Sequence, residues 1–296
     1  MLENKKQIPD FFSGISKVQE RYDGYILDLW GVVHDGFHAF DESVKCMREI
    51  KKRGKKIVLL SNAPRRTSTL RRQLKDLGVF EDLYDDIVSS GQETYDHLVE
   101  RKDEWYKKLG FNCFHIGPER DNNLLEIVNL KIVNKLSDAD FILNTGPWEE
   151  GATVDDYVEI LKEGVTHNIP MICANPDQIV IRGGKRMICA GKLAVKYENL
   201  GGFVKYHGKP GISVYKKCFL SLKAKKINRV VAIGDSLDND IAGASKAGIE
   251  SILILDGIHG DLFGSKTNQK PDNERLLNFL SNYKYFPTRI MRKFCW

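Results

Sequence analysis

Tyr25-Ile26-Leu27-Asp28-Leu29-Trp30-Gly31-Val32 places a short apolar run before an aspartate and a glycine-containing loop. A run of this length bounded by turn residues reads as a buried strand, with Asp28 at its carboxyl end. A helical pattern follows over about 43–53 and is stopped by Gly54. Residues 56–60 (Lys-Ile-Val-Leu-Leu) form a second predicted strand, ending at Ser61-Asn62. Pro64 then suits the first turn of a helix that runs through Leu70 and Leu74 to Gly78. Strand, helix, strand, helix in this rhythm predicts a parallel sheet with crossover helices. The same grammar resumes near the other end of the chain. A strand is predicted over 229–233, followed by Gly234-Asp235, a helix over about 238–246 closed by Gly248, and a strand over 251–255.

The stretch between carries strands of its own over 112–116, 141–144 and 171–174, and a helix over 154–163. It is long enough to be a separate domain inserted into the first. The sequence therefore predicts an α/β chain: a doubly wound, Rossmann-like parallel sheet core with a smaller inserted α/β cap domain. The core is expected to be discontinuous, residues 1–88 plus 203–296, with the cap over 89–202. Glycines mark both edges, at Ser90-Gly91 and Gly201-Gly202. No internal repeat or low-complexity segment is seen. Residues 283–296 mix aromatics with Lys284, Arg289, Arg292 and Lys293 and read as a docked tail, not a membrane anchor.

Composition narrows the function classes. The chain has 296 residues with a formal net charge of +5, 42% hydrophobic and 29% charged residues. That is a globular composition, and it excludes a disordered or fibrous chain. A surplus of positive charge this small and dispersed points away from nucleic acid. No apolar run reaches the roughly 18 residues a membrane span needs, and MLENKKQIPDFF lacks the apolar core of a secretory leader. The six cysteines (46, 113, 173, 189, 218, 295) lack metal-ligand spacing and are expected as reduced thiols of a cytoplasmic protein.

In an open parallel sheet, ligands bind beyond the carboxyl ends of the strands. Asp28, Ser61, Lys209 and Asp235 all fall at predicted strand ends or in the loops beside them, with Asp240 five residues after Asp235. Carboxylates suit Mg²⁺ better than any soft-ligand metal. Asp28 is placed to act as a nucleophile towards a phosphoryl group. Ser61 and nearby N–H groups would bind the phosphoryl oxygens, and Lys209 would add a fixed positive charge. Each has a bland alternative: a turn carboxylate at Asp28, helix-end charges at Asp235 and Asp240, a helix cap at Ser61 and a surface charge at Lys209.

Four ordered segments carry a family resemblance: Asp28-Leu29-Trp30-Gly31-Val32, Ser61-Asn62, Gly208-Lys209-Pro210, and Gly234-Asp235-Ser236-Leu237-Asp238-Asn239-Asp240. Together they resemble the motifs of the haloacid dehalogenase-like (HAD) superfamily over nearly the whole chain. The insert, with Cys173-Ala174-Asn175-Pro176-Asp177 and Cys189-Ala190-Gly191, is similar to the cap of subclass IIA. That branch holds the N-acetylglucosamine-operon and nitrophenylphosphatase-like enzymes. The resemblance implies a Mg²⁺-dependent phosphatase of a small phosphorylated metabolite, with Asp28 and Lys209 catalytic and Asp28 the nucleophile. It implies metal ligation by Asp28, Asp235, Asp240 and the main-chain carbonyl of Trp30. It implies phosphate binding by Ser61, Asn62 and Lys209, and a homodimer formed through the caps. Asn175 and Asp177 are expected either to meet substrate or to form an Asx turn before Pro176.

One position departs from the family pattern. The family places a second aspartate, the general acid, two residues after the nucleophile; Trp30 stands there. The Asp-x-Trp-Gly pattern is similar to that of a IIA-like group sharing this change. Indole supplies no titratable proton, and loss of a general acid costs about 10²–10⁴-fold in rate. His34 and Asp35 are the replacement acids in reach by sequence, with a loop-structural role as their alternative. The alternative function is a phospho-ligand-binding protein with little turnover, and a further one is phosphoryl transfer from a good leaving group. Arg65 and Arg66 are expected either to meet a second anionic group or to lie on a solvated helix start.

Overall fold

Apolar runs without polar alternation form sheets covered on both faces, and the computed structural model has two such sheets. It describes residues 8–264 and 270–296, so most of the stretch read for a leader, residues 1–7, lies outside the described residues. The chain divides into two compact units. One comprises Met1–Leu59, Leu77–Asp86 and Tyr215–Trp296; the other comprises Leu60–Asp76 and Ile87–Val214.

In the first unit the strands lie in the order Asp10–Phe11, Arg289–Met291, Glu250–Ile254, Val230–Gly234, Gly24–Leu27 and residues 56–59 of Lys56–Ser61, all paired in parallel. This is the expected α/β Rossmann-like architecture. From Gly24–Leu27 the chain steps outward one way to Lys56–Ser61. From Val230–Gly234 it steps the other way, through Glu250–Ile254 to Arg289–Met291. The direction of winding therefore reverses between the two central strands, both wholly buried. Register there pairs Leu27 with Ile233.

Helix Asp41–Lys52 buries Ser43, Cys46, Met47 and Ile50, the three-and-four spacing of an amphipathic face. The helix expected from Asp238 opens instead as a π-helical turn over Leu237–Ile241, continuing as α-helix over Ala242–Lys246. The tail is docked, as expected, but it also supplies a sheet strand. Arg289 pairs with Glu250 at 2.6 Å and Arg292 with Asp256 at 3.1 Å, so its buried guanidinium groups are neutralised. The Ile15 N–H donates to the Cys295 carbonyl at 2.9 Å, and the Arg53 guanidinium lies 4.1 Å from the Trp296 ring centre.

The second unit has a parallel sheet in the order Val204–Tyr206, Met171–Cys173, Phe141–Asn144, Asn112–Ile116, Lys131–Ile132, and an antiparallel hairpin of Ile179–Arg182 with Lys185–Ile188. Two of its predicted strands match residue for residue. The helix expected from Pro64 starts at Thr67, because the Ala63 carbonyl accepts the Arg65 and Gly91 N–H groups and holds 64–66 in a turn. The helix expected at 154–163 begins as a 3₁₀ turn over Asp155–Tyr157 and runs over Val158–Thr166. No disulfide joins the six cysteines. Among the described residues no helix is long and apolar enough to cross a membrane.

Asp85 clamps helix Asp41–Lys52 to the neighbouring strand. It accepts hydrogen bonds from Lys51 at 2.6 Å, Lys56 at 2.7 Å and the Ile57 N–H at 2.9 Å. Burial pushes its carboxyl up, but these donors outweigh burial and hold it below the usual carboxylate value. A depressed folded value gives stability that is complete above the ordinary carboxylate value and is lost as pH falls through it and below. Asp85→Asn is expected to cost about 1–3 kcal/mol at pH 7, with the gap to the parent protein closing towards pH 3 in urea unfolding curves.

Candidate active site

The carboxyl ends of the two central strands bring three carboxylates together. Asp28 follows Gly24–Leu27, and its N–H donates to the Ile233 carbonyl at 2.9 Å, continuing the ladder. Asp235 directly follows Val230–Gly234, and its Oδ2 accepts the Ile258 N–H at 2.8 Å. The π-helical turn carries Asp240 back: its N–H donates to the Ser236 carbonyl at 2.9 Å, and its Oδ2 accepts the Ser236 N–H at 3.1 Å.

One oxygen from each of Asp28, Asp235 and Asp240 lies within 4.8 Å of the others. The residues are only 7%, 7% and 4% exposed. Three buried carboxylates this close repel and lose hydration, so the cluster calls for a cation. An all-oxygen donor set fits a hard divalent ion. Gly31 stands against the cluster at φ +75°, where a Cβ would sit 2.1 Å from Asp235 Oδ2.

Trp30 packs edge-on against His34, ring centres 5.3 Å apart. His34 is buried, and its Nδ1 accepts the Gly36 N–H at 3.0 Å, which puts the proton of the neutral ring on Nε2. Asp35 Oδ1 accepts the Phe37 and His38 N–H groups, both at 2.8 Å. Burial pushes the Asp35 carboxyl up, but these two N–H groups outweigh it and hold it below its usual value. Of the two readings of His34-Asp35, the structure supports the loop-forming one.

The other predicted residues belong to the second unit. Asn62 joins two of them: its Oδ1 accepts the Lys209 N–H at 2.7 Å, and its Nδ2 donates to the Lys209 carbonyl at 3.2 Å and to Asp177 Oδ1 at 2.9 Å. Lys209 is buried. Ser61 Oγ accepts the Ala63 N–H at 3.1 Å. Asn175 Oδ1 accepts the Asp177 N–H at 3.1 Å, which is the Asx turn. Arg65 and Arg66 are neither a solvated helix start nor unengaged. Arg65 pairs with Asp121 at 3.2 Å and bonds Gln73, while Arg66 pairs with Glu126 at 3.7 Å and covers the Tyr95 ring.

One group escaped the sequence reading. Glu93, His97 and His207 meet in the second unit, a ligand atom of each within 4.8 Å of the others. The two histidines, 110 residues apart, show no ligand spacing in the sequence. The available signal was Glu93 and His97 four residues apart on helix Ser90–Glu100, which sets them on one face. Glu93 Oε2 accepts the Gly208 N–H at 2.9 Å and faces His207 Nδ1 at 3.3 Å. Burial pushes its carboxyl up; His207, the Ser213 hydroxyl and the Gly208 N–H outweigh burial and hold it at about 2.

Comparison with known proteins places the chain by its sequence and fold. Residues 25–131 match the model of the haloacid dehalogenase-like hydrolases, and residues 206–275 match that of the related HAD-hydrolase-like group. The chain belongs to the haloacid dehalogenase-like hydrolases. It is 23% identical over 250 residues to the D-glycerol 3-phosphate phosphatase of Mycobacterium tuberculosis, covering 83% of this chain and 66% of that protein. It is 24% identical to the sugar-phosphatase AraL of Bacillus subtilis, covering 79% of this chain and 83% of that protein. A solved haloacid dehalogenase-like hydrolase from Brucella suis superposes with a TM-score of 0.81 at 29% identity, covering 97% of this chain and 99% of that one.

Gly31→Ala should disturb the carboxylate cluster by both strain and contact. It is expected to cost about 1–3 kcal/mol of stability and to weaken Mg²⁺ binding in calorimetric titration. Gly54→Ala, also at positive φ but with open space around the new Cβ, carries the strain alone and should leave Mg²⁺ binding unchanged.

Proposed function

We propose that this hydrolase is a Mg²⁺-dependent phosphatase of a small phosphorylated metabolite, working through an aspartyl-phosphate on Asp28. The observation that carries the reading is the buried triad of Asp28, Asp235 and Asp240 at the reversal of strand order. Asp28, Asp235, Asp240 and the Trp30 carbonyl would hold the ion. When bound, Mg²⁺ offsets the negative charge shared by carboxylates and phosphoryl oxygens.

An Asp28 carboxylate oxygen attacks phosphorus, and the bond from phosphorus to the leaving oxygen breaks. Water then attacks the same phosphorus, releasing phosphate and restoring the carboxylate. Ser61, Asn62 and Lys209 bind the phosphoryl oxygens, and Lys209 supplies positive charge as charge builds on them. The pairing of Leu27 with Leu59 in parallel register supports Ser61 in this role, since Asp28 and Ser61 follow one and two residues later. Asn175 and Asp177 form the Asx turn whose Asp177 carboxylate accepts from Asn62, and so act on the phosphate site through Asn62. The relatives named as glycerol 3-phosphate and sugar phosphatases support a small phosphorylated substrate.

Trp30 supplies no proton, and His34 and Asp35 are committed to their loop. That favours leaving groups able to depart without protonation, and it is the observation behind the second reading, a phospho-ligand-binding protein with little turnover. Hydrolysis of an aryl phosphate and of alkyl and sugar phosphates, with Mg²⁺ or with EDTA, separates the two. The expected result is Mg²⁺-dependent hydrolysis, faster for the aryl phosphate. Asp28→Asn should lower kcat at least about 10⁴-fold, and Lys209→Met about 10²–10³-fold. No turnover of any substrate by folded, Mg²⁺-binding protein would establish the binding reading instead.

A further inference from the structure

We infer that Glu93, His97 and His207 form a second metal site, for a borderline transition ion of the Zn²⁺ type, separate from the carboxylate triad. Two imidazoles and one carboxylate make a donor set that suits Zn²⁺ and is poorly suited to Mg²⁺.

The separation of His207 Nδ1 from Glu93 Oε2, 3.3 Å, is long for a charge-assisted hydrogen bond. It equals the ligand-to-ligand edge, about 3.3–3.4 Å, of a tetrahedron with metal–ligand bonds of about 2.0–2.1 Å. Outer partners are in place. His207 Nε2 is hydrogen-bonded to the buried Tyr106 hydroxyl, which orients the ring with Nδ1 towards Glu93. The Gly208 N–H at 2.9 Å orients the carboxylate. Bonds of this kind from the second ring nitrogen and to the carboxylate are those that hold metal ligands in register.

Charge balance points the same way. Glu93 is 1% exposed. Among the described residues its one ion-pair partner is His207, a cation only when protonated. Its Oε1 is buried without a hydrogen-bond partner. A buried carboxylate with one oxygen unsatisfied calls for a further charge or donor, and a divalent ion held through Oε2 beside His207 Nδ1 and chelated by Oε1 would supply both. His97 completes the set, its ring centre 4.9 Å from that of His207. It is partly exposed, which gives the ion a path in.

Visible absorption of the full chain titrated with Co²⁺ tests the site, because tetrahedral nitrogen–oxygen coordination absorbs far more strongly than six oxygen ligands. The variants are Asp235→Asn, which impairs the triad, and His97→Ala with His97→Gln, at the most exposed of the three ligands. The expected result is one strongly absorbing Co²⁺ per chain, displaced by Zn²⁺ and retained in Asp235→Asn. Both His97 variants, shown folded by thermal melting, should bind Co²⁺ at least about tenfold more weakly. Weak absorption in the parent protein, or strong absorption unchanged by both His97 variants, would overturn the inference and leave a His207 imidazolium as the counter-charge of Glu93. The readout is metal binding and does not depend on turnover or on the role proposed for Asp28.

Discussion

Mutual repulsion among Asp28, Asp235 and Asp240 is the constraint around which the first unit is organised. Each carboxylate alone would be a tolerable strand-end charge, but three with oxygens within 4.8 Å in a buried setting are not stable by themselves. The backbone enforces their meeting. The Asp28 N–H is tied to the Ile233 carbonyl, so the two central strands end level with each other. The π-helical turn then folds Asp240 back towards Asp235 through reciprocal bonds with Ser236. Rigid elements therefore hold a geometry that electrostatics opposes, the arrangement on which the proposed cation site rests.

The second unit uses a different device, hydrogen-bonded side chains that tie distant segments together. Asn62 binds both sides of the Lys209 peptide and Asp177 at once. Glu93 binds the neighbouring Gly208 N–H and faces His207. Buried amides and carboxylates used in this way gain strength from the low local dielectric, and each leaves a costly orphan if its partner is removed. Positions 207–209 are thus held by Glu93 on one side and Asn62 on the other, while the proposed second metal would use two of the same residues.

Much of this was legible in the sequence. Apolar runs of four to six residues before Asp28, Ser61 and Asp235 identified the central strands, because strands covered on both faces leave a continuous hydrophobic signal. The aspartates fell at strand ends by simple counting. Less legible was the strand Arg289–Met291: it is three residues long and begins with a buried arginine whose partner, Glu250, is 39 positions away. Helix starts were misplaced at Pro64 and Asp238 for a similar reason. In both places the first turn is reshaped by bonds to a backbone carbonyl, at Ala63 and Ser236, that no local propensity announces.

The residue-level outcome divides along the same line. Sequence alone determined the α/β class, the parallel rhythm of its strands, the family resemblance and the candidates Asp28, Asp235 and Asp240, since these depend on periodicity and residue type over short windows. Tertiary structure alone decided that His34 and Asp35 serve their loop, that Arg65 and Arg66 are engaged by Asp121 and Glu126, and that Glu93, His97 and His207 meet. Those outcomes rest on which donor finds which acceptor once the chain is folded. His207 lies 110 residues beyond His97, and only the folded parallel sheet, in which Val204–Tyr206 pairs with Met171–Cys173, carries it back to the helix that bears Glu93.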